Sequence, residues 1–158
     1  MAAKVSFIPK GASPVTPYLV VSKAAEMIDF YKKVFGAVET IRLKQPDGRI
    51  GHAELKINGA SIMLADEFPE MGHLSPKSVG GARSPVSIHL YVENADEVYK
   101  RALAAGASSL REPEDQFYGE RNAQVRDPSG HCWDLSTQIE EVSPEEMQKR
   151  FNAMVNPR

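Results

Sequence analysis

The feature that most constrains the fold is an internal repeat with an offset of 71 residues. Residues 13–21 read SPVTPYLVV, residues 84–92 read SPVSIHLYV, and five of the nine aligned positions are identical. The same offset places Asn58-Gly59 on Ser129-Gly130. A repeat of this kind indicates one supersecondary unit that is built twice, with each copy unable to bury its apolar face alone.

Each half has the pattern strand, helix, strand, strand, strand. Alternation with a period of two predicts a first strand at residues 16–21 and at residues 87–92. Apolar residues at steps of three and four then predict a helix from Ala24 to Phe35 and from Ala95 to Leu103. Asn58-Gly59 and residues 127–130 follow as hairpin turns. The fold class is therefore α+β, with two tandem βαβββ modules.

The length of 158 residues is that of one domain. We expect curved mixed sheets around a cavity, with the helices outside. A Ser-Pro pair at residues 143–144 is a helix start signal and predicts a C-terminal helix. The predicted division is module 1 at about residues 14–66, a linker at 67–84, module 2 at about 85–137 and the C-terminal helix at about 143–155.

Composition excludes several classes of protein. The 42% of hydrophobic and 25% of charged residues are typical of soluble globular chains. The net charge of −2 without basic runs argues against binding to nucleic acid or to a membrane surface. No apolar run is long enough to cross a bilayer, and no secretory signal is expected. A single cysteine, Cys132, excludes an intrachain disulfide framework. We expect a cytoplasmic protein.

Several segments of the chain are similar to one known family. They read IDFYKKVFGA, GHAELKINGASIMLADE, VSIHLYVENADEVYKRALAAGA, DQFYGERNAQVRDPSGHCWDLST and VSPEEM, and together they cover most of residues 14–147. The pattern resembles the vicinal oxygen chelate superfamily, which includes glyoxalase I, extradiol dioxygenases, and fosfomycin- and bleomycin-resistance proteins. It resembles the PhnB-like branch in particular. The superfamily hosts lyases, oxygenases, transferases and metal-free binding proteins, so fold alone does not define the activity.

The resemblance implies up to four metal ligands, one on the first and one on the last strand of each module. With the repeat offset, these positions are Thr16, Met63, Ser87 and Asp134. Divalent metals favour imidazole and carboxylate ligands, and only Asp134 supplies one. We therefore expect that the usual metal site is lost and that glyoxalase I activity is absent.

A displaced metal site is a second interpretation. Pairing across the first hairpin puts Glu54 opposite Met63, so that His52, Glu54 and Met63 share a face. His89 lies in the repeat position of Tyr18. The displaced ligands would be His52, Glu54, His89 and Asp134, which could hold Zn²⁺, Mn²⁺, Fe²⁺ or Ni²⁺.

The other interpretation is a metal-free pocket. There, Glu54 would pair with Lys56 or Arg121, and the histidines would donate to a bound acid. A loop at residues 117–121 would close over the cavity, and Arg121 would clamp a carboxylate or phosphate. The alternative for Arg121 is a salt bridge with Asp115 or Glu120. The candidate ligand-binding residues are Tyr18, His52, Glu54, Met63, Ser87, His89, Tyr118, Arg121 and Asp134, and the catalytic candidates are Glu54, His89 and Asp134.

The sequence thus predicts a homodimer that binds a small organic molecule. We expect it to need no cofactor and to bind neither nucleic acid nor a membrane. The alternative is a metal-dependent lyase, isomerase or dioxygenase that uses the displaced site. Cys132 and Trp133 are expected to pack in the interior, Trp133 under the helices.

Overall fold

Two four-stranded mixed sheets carry the fold, as the repeat predicts. The computed structural model describes residues 5–81 and 83–156. The chain divides into two compact units between residues 81 and 82, and each unit contains one sheet. The α+β class and the twofold βαβββ pattern are confirmed.

Unit 1 has the strand order β1-β4-β3-β2, in which β1 runs parallel to β4 and the other pairs are antiparallel. Its elements are β1 (Tyr18–Val21), α1 (Ala24–Phe35), β2 (Val38–Lys44), β3 (Ile50–Ile57), β4 (Ala60–Asp66), a 3₁₀ turn (Pro69–Met71) and α2 (Pro76–Val79). The predicted linker therefore contains two short helical segments.

Unit 2 repeats this order as β5-β8-β7-β6, with β5 parallel to β8. Its elements are β5 (Ser87–Tyr91), α3 (Ala95–Ala104), β6 (Ser108–Asp115), β7 (Glu120–Arg126), β8 (Cys132–Gln138) and the C-terminal helix α4 (Pro144–Val155). In α4, the Ser143 side chain accepts a hydrogen bond from the Glu146 amide at 3.2 Å, so the predicted start is confirmed.

The two sheets share one strand register at the offset of 71. Tyr18 lies opposite Met63 in unit 1, and His89 lies opposite Asp134 in unit 2. The first strand is shorter than predicted, because it begins at Tyr18 and leaves Thr16 outside β1. Pro17 precedes it and has no amide hydrogen to donate to a ladder.

The two hairpins are closed in different ways. Asn58 and Gly59 have φ values of 47° and 82°, which is the two-residue turn that their sequence predicts. In the second hairpin, the Asp127 carboxylate accepts from the amides of Ser129 (2.9 Å) and His131 (3.0 Å) and from Trp133 Nε1 (2.9 Å). Asp127 and Trp133 are both buried, and so is Cys132.

Each major helix is tied at its N-terminus to the last strand of its sheet. The Ala24 amide donates to Asp66 Oδ1 at 2.7 Å, and the Ala95 amide donates to Thr137 Oγ1 at 2.9 Å. Both donors and both acceptors are repeat mates. In α3, the side chain of Asn94 also accepts from the Glu97 amide and caps the helix.

The helices cover one face of each sheet, and most of the polar strand side chains lie on the opposite face. Beneath α1 lie the buried residues Val21, Ala53, Leu55, Ile62 and Leu64, and beneath α3 lie Ala123, Val125, Trp133 and Leu135. Because side chains alternate along a strand, the residues between these positions point to the other face. Among the described residues, no helix is long and apolar enough to span a membrane.

Candidate functional site

The face of sheet 1 opposite α1 contains the predicted residues of module 1. His52 and Glu54 alternate along β3 with the buried Ala53 and Leu55. Met63 lies between Tyr18 on one side and Glu54 on the other. We call this surface the module 1 face, and its members are Tyr18, His52, Glu54, Lys56, Ser61 and Met63.

Three of these side chains form a chain of hydrogen bonds. Tyr18 Oη lies 3.1 Å from His52 Nδ1, and His52 Nε2 lies 3.2 Å from Glu54 Oε1. Tyr18 is 51% exposed, so the chain opens to solvent at the phenol. Glu54 therefore pairs with His52 rather than with Lys56. Lys56 instead donates to Ser61 Oγ at 2.5 Å.

The order of this chain defines where its protons lie. Glu54 is an acceptor, so the His52 tautomer that satisfies both contacts carries its ring hydrogen on Nε2. Nδ1 then accepts the hydroxyl hydrogen of Tyr18. Burial raises the pKa of Tyr18 above its ordinary value of 10.0, which keeps the phenol protonated at neutral pH.

The face of sheet 2 opposite α3 is more polar. We call it the module 2 face. It contains the predicted His89 and Asp134 and adjoins Tyr118. Other polar residues on this face include Tyr91, Arg111, Glu120, Asn122, Gln124 and Ser136. Ser87 lies at the start of β5, opposite the buried Cys132.

Glu120 is the central acid of the module 2 face. Tyr91 donates its hydroxyl to Glu120 Oε1 at 2.7 Å, and His89 Nε2 lies 3.4 Å from Oε2. The Glu120 side chain is only 14% exposed, and Oε2 has no hydrogen-bond partner among the described residues. The bond to Glu120 is the main reason that the pKa of Tyr91 is raised.

Arg111 begins a second chain across the module 2 face. Its guanidinium donates to Asn122 Oδ1, and Asn122 Nδ2 donates to Ser136 Oγ. Asn122 and Ser136 are buried. Arg111 Nε is also buried without a hydrogen-bond partner among the described residues, at 3.6 Å from Glu114 Oε1. Burial raises the pKa of the nearby Tyr118, and the positive charge of Arg111 opposes that shift.

Asp134 is held by an amide that the sequence analysis missed. Gln124 lies directly opposite Asp134 and donates its Nε2 hydrogen to Oδ1. Arg83 donates in turn to Gln124 Oε1 at 2.9 Å. Pairing across the Asp127–Gly130 turn, done as for the first hairpin, places Gln124, Asn122 and Glu120 on the face of Asp134. That signal was present in the sequence.

Arg121 lies on the helix side of sheet 2. It is opposite Thr137, which bonds the start of α3, and its guanidinium contacts both carboxylate oxygens of Asp96. Its Nη1 lies 2.8 Å from Asp115 Oδ1. The bonds to Asp96 and Asp115 raise the pKa of Arg121. The structure thus shows the predicted salt-bridge alternative with Asp115 and adds Asp96.

The metal positions can be assessed within each unit. The module 1 face offers His52 and Glu54, and the module 2 face offers His89, Glu120 and Asp134. Within either unit, residues 5–81 and 83–156 contain no group of three or more His, Cys, Asp or Glu side chains that could hold a metal ion. The four-ligand displaced site stays a prediction.

Known proteins similar to this chain point to one family. A sequence model of the glyoxalase/bleomycin resistance protein/dioxygenase superfamily matches residues 13–135. The uncharacterized protein Mb0911c of Mycobacterium bovis is 46% identical over 142 residues, which cover 88% of this chain and 92% of that protein. The uncharacterized protein At5g48480 of Arabidopsis thaliana is 28% identical, over 78% of this chain and 83% of that protein.

Solved structures have the same fold. TioX from Micromonospora sp. ML1 is 27% identical with a TM-score of 0.60, over 81% of this chain and all of TioX. The fosfomycin resistance protein FosX of Listeria monocytogenes, crystallised with Mn(II) and sulfate, has a TM-score of 0.62 over 88% of this chain and 97% of FosX. Its identity of 19% supports the fold alone. The PhnB-like branch stays a prediction.

Proposed function

This chain belongs to the glyoxalase/bleomycin resistance protein/dioxygenase superfamily, and from that premise we propose that it binds a small organic molecule without the usual metal ligands. The observation that carries the proposal is a pair of buried polar atoms on the module 2 face, Arg111 Nε and Glu120 Oε2, that have no hydrogen-bond partner among the residues that the structure describes. Buried polar atoms are nearly always hydrogen-bonded, so such a pair calls for an explanation. A ligand with one acceptor and one donor would complete both.

The surroundings of this pair define the class of ligand. Tyr91 is 58% exposed and its ring centroid lies 4.9 Å from that of His89, so the two rings offer an aromatic surface beside Glu120. Arg111 lies beside Tyr118. Pockets for small molecules combine apolar or aromatic walls with a few oriented polar groups. We therefore expect a compact molecule with an apolar or aromatic body, one hydrogen-bond acceptor and one donor.

The test is a thermal-shift screen followed by calorimetry, with organic acids, thiol adducts and aromatic antibiotics as probes. A compound that raises the melting temperature is expected to bind Glu120→Gln about tenfold more weakly or worse, because the amide replaces the charged acceptor. Glu97→Gln is the matched control, since Glu97 is exposed on α3 of the same unit. Equal affinity of Glu120→Gln and wild type, or no stabilising compound, contradicts the proposal.

The metal-dependent lyase, isomerase or dioxygenase is the second candidate. The hydrogen bond between His52 and Glu54 favours it, because it places an imidazole and a carboxylate side by side. Elemental analysis of tag-free protein, before and after reconstitution with Zn²⁺, Mn²⁺, Fe²⁺ and Ni²⁺, distinguishes the metal-dependent enzyme from the metal-free binding protein. Near-stoichiometric metal that His52→Ala abolishes would replace our first proposal. A cytoplasmic homodimer is part of both proposals.

A further inference from the structure

We propose that Tyr18, His52 and Glu54 form a nucleophilic triad in which Tyr18 accepts an acyl group from an activated ester. The proposal goes beyond ligand binding and concerns the module 1 face only. It depends on the two hydrogen bonds of 3.1 and 3.2 Å that link the three side chains in series. A nucleophile, a base and a group that orients the base are the parts of such a triad.

The three side chains are held by regular strands and not by loops. Tyr18 is the first residue of β1, and His52 and Glu54 lie on β3. Between them runs β4, which pairs Met63 with both Tyr18 and Glu54. Strands fix the positions of catalytic groups better than loops do, so the chain of bonds is preorganised.

Tyr18, the proposed nucleophile, is the most exposed of the three residues. The side chains of His52 and Glu54 are 26% and 32% exposed, while Tyr18 is 51% exposed. An ester can therefore approach the Tyr18 side chain, and the base behind it is partly shielded. Burial raises the pKa of Tyr18, so the phenol needs a base to remove its proton during attack.

The acyl transfer balances with these groups alone. Tyr18 Oη attacks the ester carbonyl carbon, and the new bond joins Oη to that carbon. The hydroxyl proton passes to His52 Nδ1, and Glu54 stabilises the imidazolium through Nε2–H. The single bond between the acyl carbon and the alkoxy or aryloxy oxygen of the ester then breaks. The alcohol or phenol leaves with the proton that His52 returns.

Tyr91 provides an internal control. It is 58% exposed, similar to Tyr18, but its hydroxyl donates to a carboxylate and not to an imidazole. The bond to Glu120 raises the pKa of Tyr91. The proposal therefore predicts a large difference in reactivity between two tyrosines of similar exposure.

The experiment treats the full chain with p-nitrophenyl acetate in the presence of a chelator. The release of p-nitrophenolate is followed, and peptide mass spectrometry locates the acetyl group. We expect acetylation at Tyr18 roughly 10²-fold faster than at Tyr91, as general-base assistance provides. Tyr18→Phe should abolish the fast phase and His52→Gln should slow it by a similar factor. Glu54→Gln, which keeps the geometry, should slow it about tenfold.

The control variant is Glu97→Gln, which lies outside both faces and should react as the wild type does. Circular dichroism shows whether each variant is folded. If His52→Gln does not fold, Tyr18→Phe and Glu54→Gln still decide. A fast phase that survives Tyr18→Phe, or equal acetylation of Tyr18 and Tyr91, overturns the triad. Neither result bears on the ligand screen, whose readout is Glu120 in the other module.

Discussion

The two modules share a backbone register but invert the order of their polar side chains. In module 1 the imidazole of His52 lies between Tyr18 and Glu54, whereas in module 2 the carboxylate of Glu120 lies between Tyr91 and His89. An imidazole in the middle can accept a proton from tyrosine, while a carboxylate in the middle holds that proton on the tyrosine. The two modules therefore share a backbone geometry but place different groups, an imidazole and a carboxylate, next to the tyrosine.

The same comparison extends to how each hairpin is stabilised. Module 1 uses the backbone conformations of Asn58 and Gly59, and module 2 uses the buried carboxylate of Asp127. The first device is a local conformational preference. The second is a set of three hydrogen bonds to a buried carboxylate, so its removal takes the acceptor away from three donors at once.

The largest effect is expected from Asp127→Ala, at about 3–4 kcal/mol of the free energy of unfolding. The buried Trp133 Nε1 and the amides of Ser129 and His131 would each lose the carboxylate that accepts their hydrogen bond. Asn58→Ala, the counterpart in module 1, should cost only about 1 kcal/mol, because alanine disfavours a positive φ. Denaturation in urea measures both.

Asp127→Asn separates geometry from charge. It keeps one side-chain oxygen for the amides of Ser129 and His131 but turns an NH₂ group toward Trp133 Nε1, so an intermediate loss is expected. If Asp127→Ala and Asn58→Ala cost the same, the two hairpins do not differ in the way that we describe.

The sequence predicted the scaffold well because its signals are local and repeated. The period-two strands, the Asn58-Gly59 turn and the helix start at Ser143 each depend on a few neighbouring residues, and the offset of 71 supplied a second copy of the strand pattern. Pairing across the first turn placed Glu54 opposite Met63, as the structure has it.

The site was predicted less completely, because its contacts link residues far apart in the sequence. The bonds from Tyr91 to Glu120 and from Arg111 to Asn122 join different strands, and no local pattern indicates them. Arg121 shows how the alternation of side chains along a strand determines which face a residue joins. It neighbours Glu120 in the chain, but it points to α3 and meets Asp96 there, 25 residues away.

The helix anchors provide the next test of the comparison. Asp66 accepts from the amides of Ala24 and Ile50, both at 2.7 Å, and its repeat mate Thr137 accepts from Ala95 at 2.9 Å and donates to the Val92 carbonyl. Asp66→Ala should cost about 2 kcal/mol, because a negative charge at a helix N-terminus adds to two hydrogen bonds. Thr137→Ala should cost about 1 kcal/mol.

Hydrogen exchange identifies the origin of each loss. Asp66→Ala should speed exchange at the amides of Ala24 and Ile50, and Thr137→Ala should do so at Ala95. A uniform increase in the exchange rate across each unit would mean that these hydrogen bonds stabilise the whole unit and not the helix start alone. Asp66→Asn, which keeps an acceptor but removes the charge, should lie between wild type and Asp66→Ala.

The smallest effect is expected at an outer strand, where the modules differ in charge. Glu39 on β2 bonds Arg42 Nη2 at 3.0 Å and Lys32 Nζ at 2.6 Å, whereas the repeat position on β6 is Leu110. The bond to Arg42 is the main cause that lowers the pKa of Glu39 from 4.5 to about 2. The three side chains are partly exposed, so the ion pairs add only about 1 kcal/mol.

The pH dependence follows from the direction of this shift. A carboxyl whose pKa is lower in the folded state stabilises the fold above its unfolded value of 4.5, and this stabilisation disappears as the pH falls toward about 2. Glu39→Gln should therefore be about 1 kcal/mol less stable than wild type at pH 7 and nearly equal to it at pH 2. Glu26→Gln is the control, because its pair with Lys23 is highly exposed and should change stability little at either pH. A difference for Glu39→Gln that persists at pH 2 would show that packing, and not charge, distinguishes β2 from β6.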